Sequence, residues 1–248
     1  MAGASHSVRG YTPTGRGGLH RKVVDMLAMQ IIRGEYEAGS PLPVEAEVCR
    51  ALGVGRSSVR EAMRVLADKG MIEVRPRTGT KVLDRASWRR LDPDLVRWML
   101  AAGGDQELLA DLVEARRILE PAAAMLAAKR ATGADLARIE VALTGMSDAM
   151  PGDGRDGDLE ACVEADIAFH KAILSASGNS VLEEFEVVID GALRAAFMKS
   201  AELAQSYPQT ISAHGEVYEA IRMRDAQRAG AAMSSLLDVA VADLGLET

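Results

Sequence analysis

Residues 42–66 read Leu42-Pro43-Val44-Glu45-Ala46-Glu47-Val48-Cys49-Arg50-Ala51-Leu52-Gly53-Val54-Gly55-Arg56-Ser57-Ser58-Val59-Arg60-Glu61-Ala62-Met63-Arg64-Val65-Leu66. Two short helical runs meet at a pair of glycines. The first extends from about Val44 to Leu52, and Gly53-Val54-Gly55 makes the tight connection that brings the second across it. Ser58 supplies a start signal for the second helix, with Glu61 three residues on to complete a capping box. Val59, Ala62, Met63 and Leu66 fall at i, i+3, i+4 and i+7, one apolar stripe facing a core, and Gly70 ends the run. This is a helix-turn-helix.

The opposite side of the second helix carries Arg56, Ser57, Arg60 and Arg64. A helix in the major groove presents its N-terminal residues to base edges, where Arg can bridge guanine O6 and N7 with two hydrogen bonds. Beyond Gly70, Met71-Ile72-Glu73-Val74 and Thr80-Lys81-Val82-Leu83 are strand-like runs joined through Arg75-Pro76-Arg77-Thr78-Gly79, a hairpin with two arginines at its tip. That hairpin is the wing of a winged helix. Arginines on a helix also serve as an ordinary solvated face. The helical pair, its basic outer face and the basic hairpin lie within one short stretch, and together they point to double-stranded DNA.

At these residues the chain resembles the GntR superfamily of bacterial regulators. The match is carried by Leu42-Pro43, Glu45, Glu47, Val54, Arg56, Val59-Arg60-Glu61-Ala62, Leu66 and Gly79-Thr80, within residues 19–83. The resemblance implies base contacts from Arg56 and Arg60, phosphate or base contacts from Ser57 and Ser58, and a minor-groove wing carrying Arg75, Arg77, Gly79 and Lys81, with Arg64 on the same helix face. Ala46 and Gly55 depart from the family pattern, which often has arginine and serine there, and remove a DNA contact.

A chain of 248 residues accommodates two ordinary domains, and 48% hydrophobic with 26% charged residues is a globular profile. Aromatics at 4%, with abundant alanine and leucine, favour helices over sheets. No run of eighteen apolar residues and no signal peptide is present, so the expected location is cytoplasmic. Cys49 and Cys162 lie in separate helical stretches without CxxC spacing, which argues against a disulfide or thiolate metal site. The net charge of −7 is unevenly spread: residues 1–85 hold 14 Lys/Arg against 9 Asp/Glu, and the remainder holds 15 against 27. The basic part suits phosphate and the acidic part avoids it. The expected organisation is a disordered tail over 1–18, a winged helix-turn-helix over 19–83, a linker over 84–93 and an all-helical effector-binding and dimerisation domain over 94–248.

In that second domain the pattern is helical throughout: 94–101, 105–131, 134–149, 158–177, 180–203, 209–223 and 225–245, with breaks at Gly103-Gly104, Gly133, Pro151 to Gly157, Gly178-Asn179 and Pro208. The expected fold is therefore mainly α, a winged helix-turn-helix followed by an all-α bundle of six or seven helices. Asp166 and His170 are four apart on one helix face, a spacing at which carboxylate and imidazole can share a divalent cation. The same spacing also suits an ion pair. His214 lies on the inward face of its helix with Ile211, Val217, Tyr218 and Ile221, where a metal, an anion or a backbone carbonyl would satisfy it.

The segments Glu114–Ala124, Asp166–His170, Ser177-Gly178-Asn179 and His214–Ile221, with Asp225 and Met233, resemble the helical effector domain of the FadR-like branch of the same superfamily. That resemblance implies a divalent metal, zinc or nickel, held by Asp166, His170 and His214, with a carboxylate effector completing its coordination. It implies effector contacts from Arg116 and Asn179. A further histidine is expected three residues beyond Met233, where the chain has Leu236, so the alternative is a polar pocket that binds the effector directly. Arg116 has its own alternative, a salt bridge to Glu120 or Glu114 on the same helix. Features around Trp88, Leu91–Asp94, Trp98 and Glu120–Ala124 are similar to the galactonate-operon repressors, which implies a sugar acid such as an aldonate.

The resulting expectation is a homodimeric transcriptional regulator on an inverted-repeat operator, a repressor released by a small carboxylate. Two other readings are a metal-dependent enzyme built on Asp166, His170 and His214, and a constitutive DNA-binding dimer with no effector. No GxxxxGK(S/T) loop, HExxH motif or nucleophile–base pairing supports the enzyme.

Overall fold

The computed structural model describes residues 18–75, 79–103, 106–150, 157–199 and 203–243. The chain divides into two compact units, Met1–Arg90 and Leu91–Thr248. The expected hairpin tip, including Arg77, and the N-terminal tail lie outside the described residues.

In the first unit, α1 (Gly18–Ile32) buries Val23, Val24, Leu27, Ala28, Ile31 and Ile32. The helix packs on α3 (Arg56–Asp68), which returns Val59, Ala62, Met63 and Leu66, the four stripe residues. Between them α2 (Glu45–Leu52) ends where Gly53 adopts φ 63° and donates its N–H to the Cys49 carbonyl, a left-handed cap that costs glycine least. Helix α3 starts earlier than Ser58 suggested. Gly55 is its extended N-cap, and the Gly55 carbonyl accepts from Ser58 N at 3.1 Å and Val59 N at 3.3 Å. Ser58 therefore sits inside the first turn and caps nothing. At the start of α2, Glu47 Oε2 accepts from Val44 N at 3.2 Å.

Strands β1 (Ile72–Arg75) and β2 (Gly79–Val82) pair antiparallel, with Ile72 opposite Val82 and Arg75 opposite Gly79. Residues 40–42 lie along the free edge of β2: Leu42 N donates to Thr80 O at 2.9 Å and Val82 N to Ser40 O at 3.0 Å. Gly70 has φ 75°, and a Cβ there would stand 2.3 Å from the Ser87 carbonyl oxygen, so the turn into β1 requires glycine twice over. Part of the expected linker is folded into this unit. Trp88 is buried, its Nε1 donates to Leu83 O at 3.3 Å, and Arg89 N donates to Lys69 O at 3.0 Å.

The second unit is helical: α4 (Pro93–Ala101), α5 (Gln106–Arg130), α6 (Gly133–Ala149), α7 (Leu159–Ala176), α8 (Ser180–Glu183), α9 (Glu186–Lys199), α10 (Leu203–Arg222) and α11 (Ala226–Asp243). Asp92 opens α4, its Oδ1 accepting from Asp94 N and Leu95 N, with Pro93 at the position where a missing N–H costs nothing. Helix α5 packs on α7, α9, α10 and α11, and α6 packs on α7 and α10. Their shared core holds Phe169, Ile139, Met146, Ile173, Leu174, Ile189, Ile221 and Met233. Two expectations are corrected among the described residues. The run 180–203 is broken at Glu184-Phe185 into α8 and α9. Pro208 does not break the chain: α10 begins at Leu203 and runs through it, giving up the one backbone N–H that proline lacks.

Candidate functional site

The DNA-facing residues expected in the first unit lie on α3 and on the hairpin, with Arg77 outside the described residues. Arg56, Ser57, Arg60 and Arg64 are exposed along the outer face of α3, and Ser58 is half-buried in its first turn. Arg75, Gly79 and Lys81 are exposed on the β hairpin. Starting α3 at Arg56 leaves the N–H groups of Arg56 and Ser57 without an intrahelical acceptor, a helix end suited to an anion such as phosphate. Three arginines meet carboxylates. Arg60 Nε donates to Glu45 Oε2 at 2.9 Å, Arg75 Nη2 lies 2.9 Å from Glu73 Oε2, and Arg64 Nε lies 3.8 Å from Glu61 Oε1.

The second unit gathers its ionisable residues in the interior. Asp166 and His170 project from α7 and His214 from α10. All three are buried, and one ligand atom from each lies within 4.8 Å of the others. His170 Nε2 is 3.2 Å and His214 Nε2 3.1 Å from the same atom, Asp166 Oδ1. Each imidazole has its other nitrogen committed. His214 Nδ1 donates to the Thr210 carbonyl at 2.6 Å, and His170 Nδ1 donates to Glu120 Oε2. Phe169, fully buried, stands edge-on to both rings, with centroids 5.5 Å and 4.9 Å away, so neither imidazole can swing freely.

Glu120 was foreseen only as a salt-bridge partner, and here it ties the cluster together. Its Oε1 accepts from Arg116 Nε one helical turn back, while its Oε2 takes His170. The alternative reading of Arg116 is therefore realised, but in the interior: the two side chains are 6% and 3% exposed. Burial raises the Glu120 pKa, yet Arg116 and His170 outweigh it and hold the carboxyl at about 2. Asp166 likewise falls well below the carboxylate range, because His214 and His170 outweigh its burial. His170 is raised: burial works against its charge, and the facing Glu120 carboxylate prevails.

Two other residues fall elsewhere. Asn179 caps α8, its Oδ1 accepting from Val181 N at 3.1 Å while its own N–H donates to Ser177 Oγ at 3.2 Å. Those are the bonds of a helix cap, and none joins it to the cluster. Leu236, where a further histidine was expected, is buried in the core and offers no ligand atom.

The donor chemistry fits a divalent metal. With both Nδ1 protons assigned to acceptors, two Nε2 lone pairs and a carboxylate oxygen converge. That convergence repels unless protons or a cation lie between them. Arg116, Glu120 and Asp166 sum to −1 beside neutral imidazoles. A divalent ion would turn the buried charge to +1, which an anionic ligand would balance.

A basic winged helix joined to a helical unit with a buried, ligand-competent cluster defines a class: a DNA-binding regulator with a separate sensing domain. Comparison with known proteins makes it specific. Residues 19–82 match the bacterial regulatory proteins of the gntR family and residues 111–239 match the FCD domain, so the chain belongs to the GntR family and is a transcription regulator, not an enzyme. It is 37% identical to the galactonate operon transcriptional repressor of Escherichia coli, over 87% of this chain and 92% of that protein. It is 29% identical to the Uxu operon transcriptional regulator of Escherichia coli, over 82% and 72%. The solved structure of Lar from Listeria monocytogenes is 20% identical and superposes with a TM-score of 0.64, covering 96% of this chain and 100% of that one, a likeness of fold. No helix among the described residues is long and apolar enough to cross a membrane.

Proposed function

We propose that this regulator is a cytoplasmic homodimeric repressor that binds an inverted-repeat operator and is released by a small sugar acid. The DNA-contacting set is Arg56, Ser57, Ser58, Arg60 and Arg64 on α3, with Arg75, Arg77, Gly79 and Lys81 on the wing. Two-fold pairing of the protein requires each half-site to recur in inverted order. The sugar-acid class draws on the likeness to the galactonate operon transcriptional repressor, galactonate being an aldonate.

The observation that carries the sensing half is the convergence of His170 Nε2 and His214 Nε2 on Asp166 Oδ1, at 3.2 and 3.1 Å. It supports a divalent metal, zinc or nickel, held by Asp166, His170 and His214. The metal would act as a Lewis acid toward the effector's carboxylate, its remaining positions filled by that group and by water. Arg116, anchored through Nε, keeps its two Nη groups for the same carboxylate. Asn179 is a candidate second contact. An effector that binds one state of the dimer more tightly than the other shifts operator affinity by its differential affinity.

Thermal unfolding of the full chain with aldonates tests this, each run with added zinc or nickel and again after chelation. A ligand at a hundred times its dissociation constant stabilises by about 2.7 kcal/mol. A rise in Tm that requires metal supports the metal-bridged site. A rise that survives chelation shifts the assignment to Arg116 and a metal-free polar pocket. No rise with any acid overturns the effector reading in favour of a constitutive DNA-binding dimer.

A further inference from the structure

Arg60 is held from outside its own helix. Its Nε donates to Glu45 Oε2 at 2.9 Å, and Glu45 is the first residue of α2, 15 positions earlier. The other arginines of this surface are placed differently. Arg64 lies 3.8 Å from Glu61 on its own helix, too far for a hydrogen bond, and Arg75 meets Glu73 through Nη2. A contact through Nη2 occupies part of the edge that reads guanine. A contact through Nε leaves both Nη groups available for guanine O6 and N7. Because the guanidinium is planar, an anchor at Nε also restrains the rotation that would turn this edge toward the phosphates.

We propose that Glu45 is a specificity-determining residue of the DNA interface: it anchors Arg60 by Nε, presents the Nη pair to one base pair, and opposes phosphate binding. The inference rests on the assignment of Arg60 as a base reader. Its energetic logic is that of a difference between sequences. An unanchored arginine finds phosphate oxygens on any duplex, so losing the anchor costs discrimination at one position. A carboxylate beside the DNA is repelled by every phosphate, so removing it raises affinity for all sequences alike. Since 67% of the Arg60 side chain and 41% of the Glu45 side chain are exposed, neither effect requires a change in the fold.

The experiment uses the full chain and a duplex selected from a randomised library by the unsubstituted protein. Every base pair of that duplex is then replaced in turn and affinity read by fluorescence anisotropy. Glu45→Ala and Glu45→Asp, which remove or shorten the anchor, are expected to lower discrimination at one base pair of each half-site by about tenfold. Glu45→Ala should also bind unrelated duplexes more tightly. Glu45→Gln keeps an oxygen to accept from Nε and should retain the discrimination while sharing the rise in nonspecific affinity. Arg60→Ala should lose discrimination at the same base pair, and adding Glu45→Ala to it should cost nothing more there. Glu45→Ala and Glu45→Asp that keep every ratio within twofold while Arg60→Ala loses one would overturn the role of Glu45 alone. Ratios preserved in Arg60→Ala would overturn the base-reading assignment as well.

Discussion

Arg60–Glu45 and Arg116–Glu120 share one bond, a guanidinium Nε donating to a carboxylate, in opposite surroundings. The side chains of the first pair are 67% and 41% exposed, and those of the second are 6% and 3% exposed. In water such a bond contributes little to stability, typically under about 1 kcal/mol, so what it supplies at the surface is orientation. In the interior, removing one partner strands the other charge and costs about 3–5 kcal/mol. On the proposed function, the same chemistry aims a base-reading arginine in one unit and holds a charged sensing cluster together in the other. The buried version also involves a third residue, because Glu120 Oε2 holds His170 while Oε1 holds Arg116.

That contrast breaks most visibly at Glu120. Glu120→Ala should lower the stability of the second unit by about 3–5 kcal/mol in urea unfolding, because Arg116 keeps its charge and loses its partner. A loss under about 1 kcal/mol would mean that the cluster is wetter than its burial indicates. Arg60→Ala should do the reverse, leaving the unfolding midpoint within about 0.5 kcal/mol of the parent and weakening specific DNA binding by about 1–3 kcal/mol. Unchanged affinity would remove Arg60 from the interface.

The sequence made the two units legible to different depths. Helical spacing exposed the stripe Val59, Ala62, Met63 and Leu66, and all four are buried. It also exposed Asp166 and His170, four residues apart, while the resemblance joined His214 to them, and the structure brings the three together. Glu120 was visible as a partner for Arg116, since the two are one turn apart. Its bond to His170 spans 50 residues, and no local periodicity reports which helix faces which. Ser58 misled because serine marks a helix start only where its own backbone is still extended, and here the chain is already helical from Arg56. Gly55, already extended, took the cap. Pro208 misled because proline in a helix carries a finite local cost, one lost bond and a clash, which the rest of a long helix can outweigh. Asn179 shows the reverse difficulty: its type suits both a ligand contact and a helix cap, and the structure displays the cap.

The pH dependence of stability sharpens the reading of the cluster by its sign. His170 is raised above its unfolded value, so with chelator present its contribution is complete below about pH 6.5 and is lost as pH climbs through the folded value. Glu120 is depressed to about 2, so its contribution is present above its unfolded value and lost only as pH falls toward 2. Metal-free protein should therefore melt at a lower temperature as pH rises from 6 to 8. Protein with zinc or nickel should show a stabilisation that grows over the same interval, because protons compete with the metal for nitrogen. Identical pH profiles with and without metal would contradict a metal at Asp166, His170 and His214. A further expected change is at Leu236. Leu236→His buries an unpaired imidazole and should cost about 1–3 kcal/mol in chelator. Added nickel should recover that loss if the side chain reaches the metal, and a loss that nickel leaves untouched would separate position 236 from the site.

The most direct test of the account is the affinity of the full chain for its selected duplex, measured with and without saturating galactonate in the presence of zinc or nickel. The account predicts that galactonate weakens binding by about tenfold or more, a coupling of about 1.4 kcal/mol. It also predicts that Arg116→Ala abolishes the response. Galactonate that stabilises the protein against heat yet leaves DNA affinity unchanged, or tightens it, would contradict release by a sugar acid.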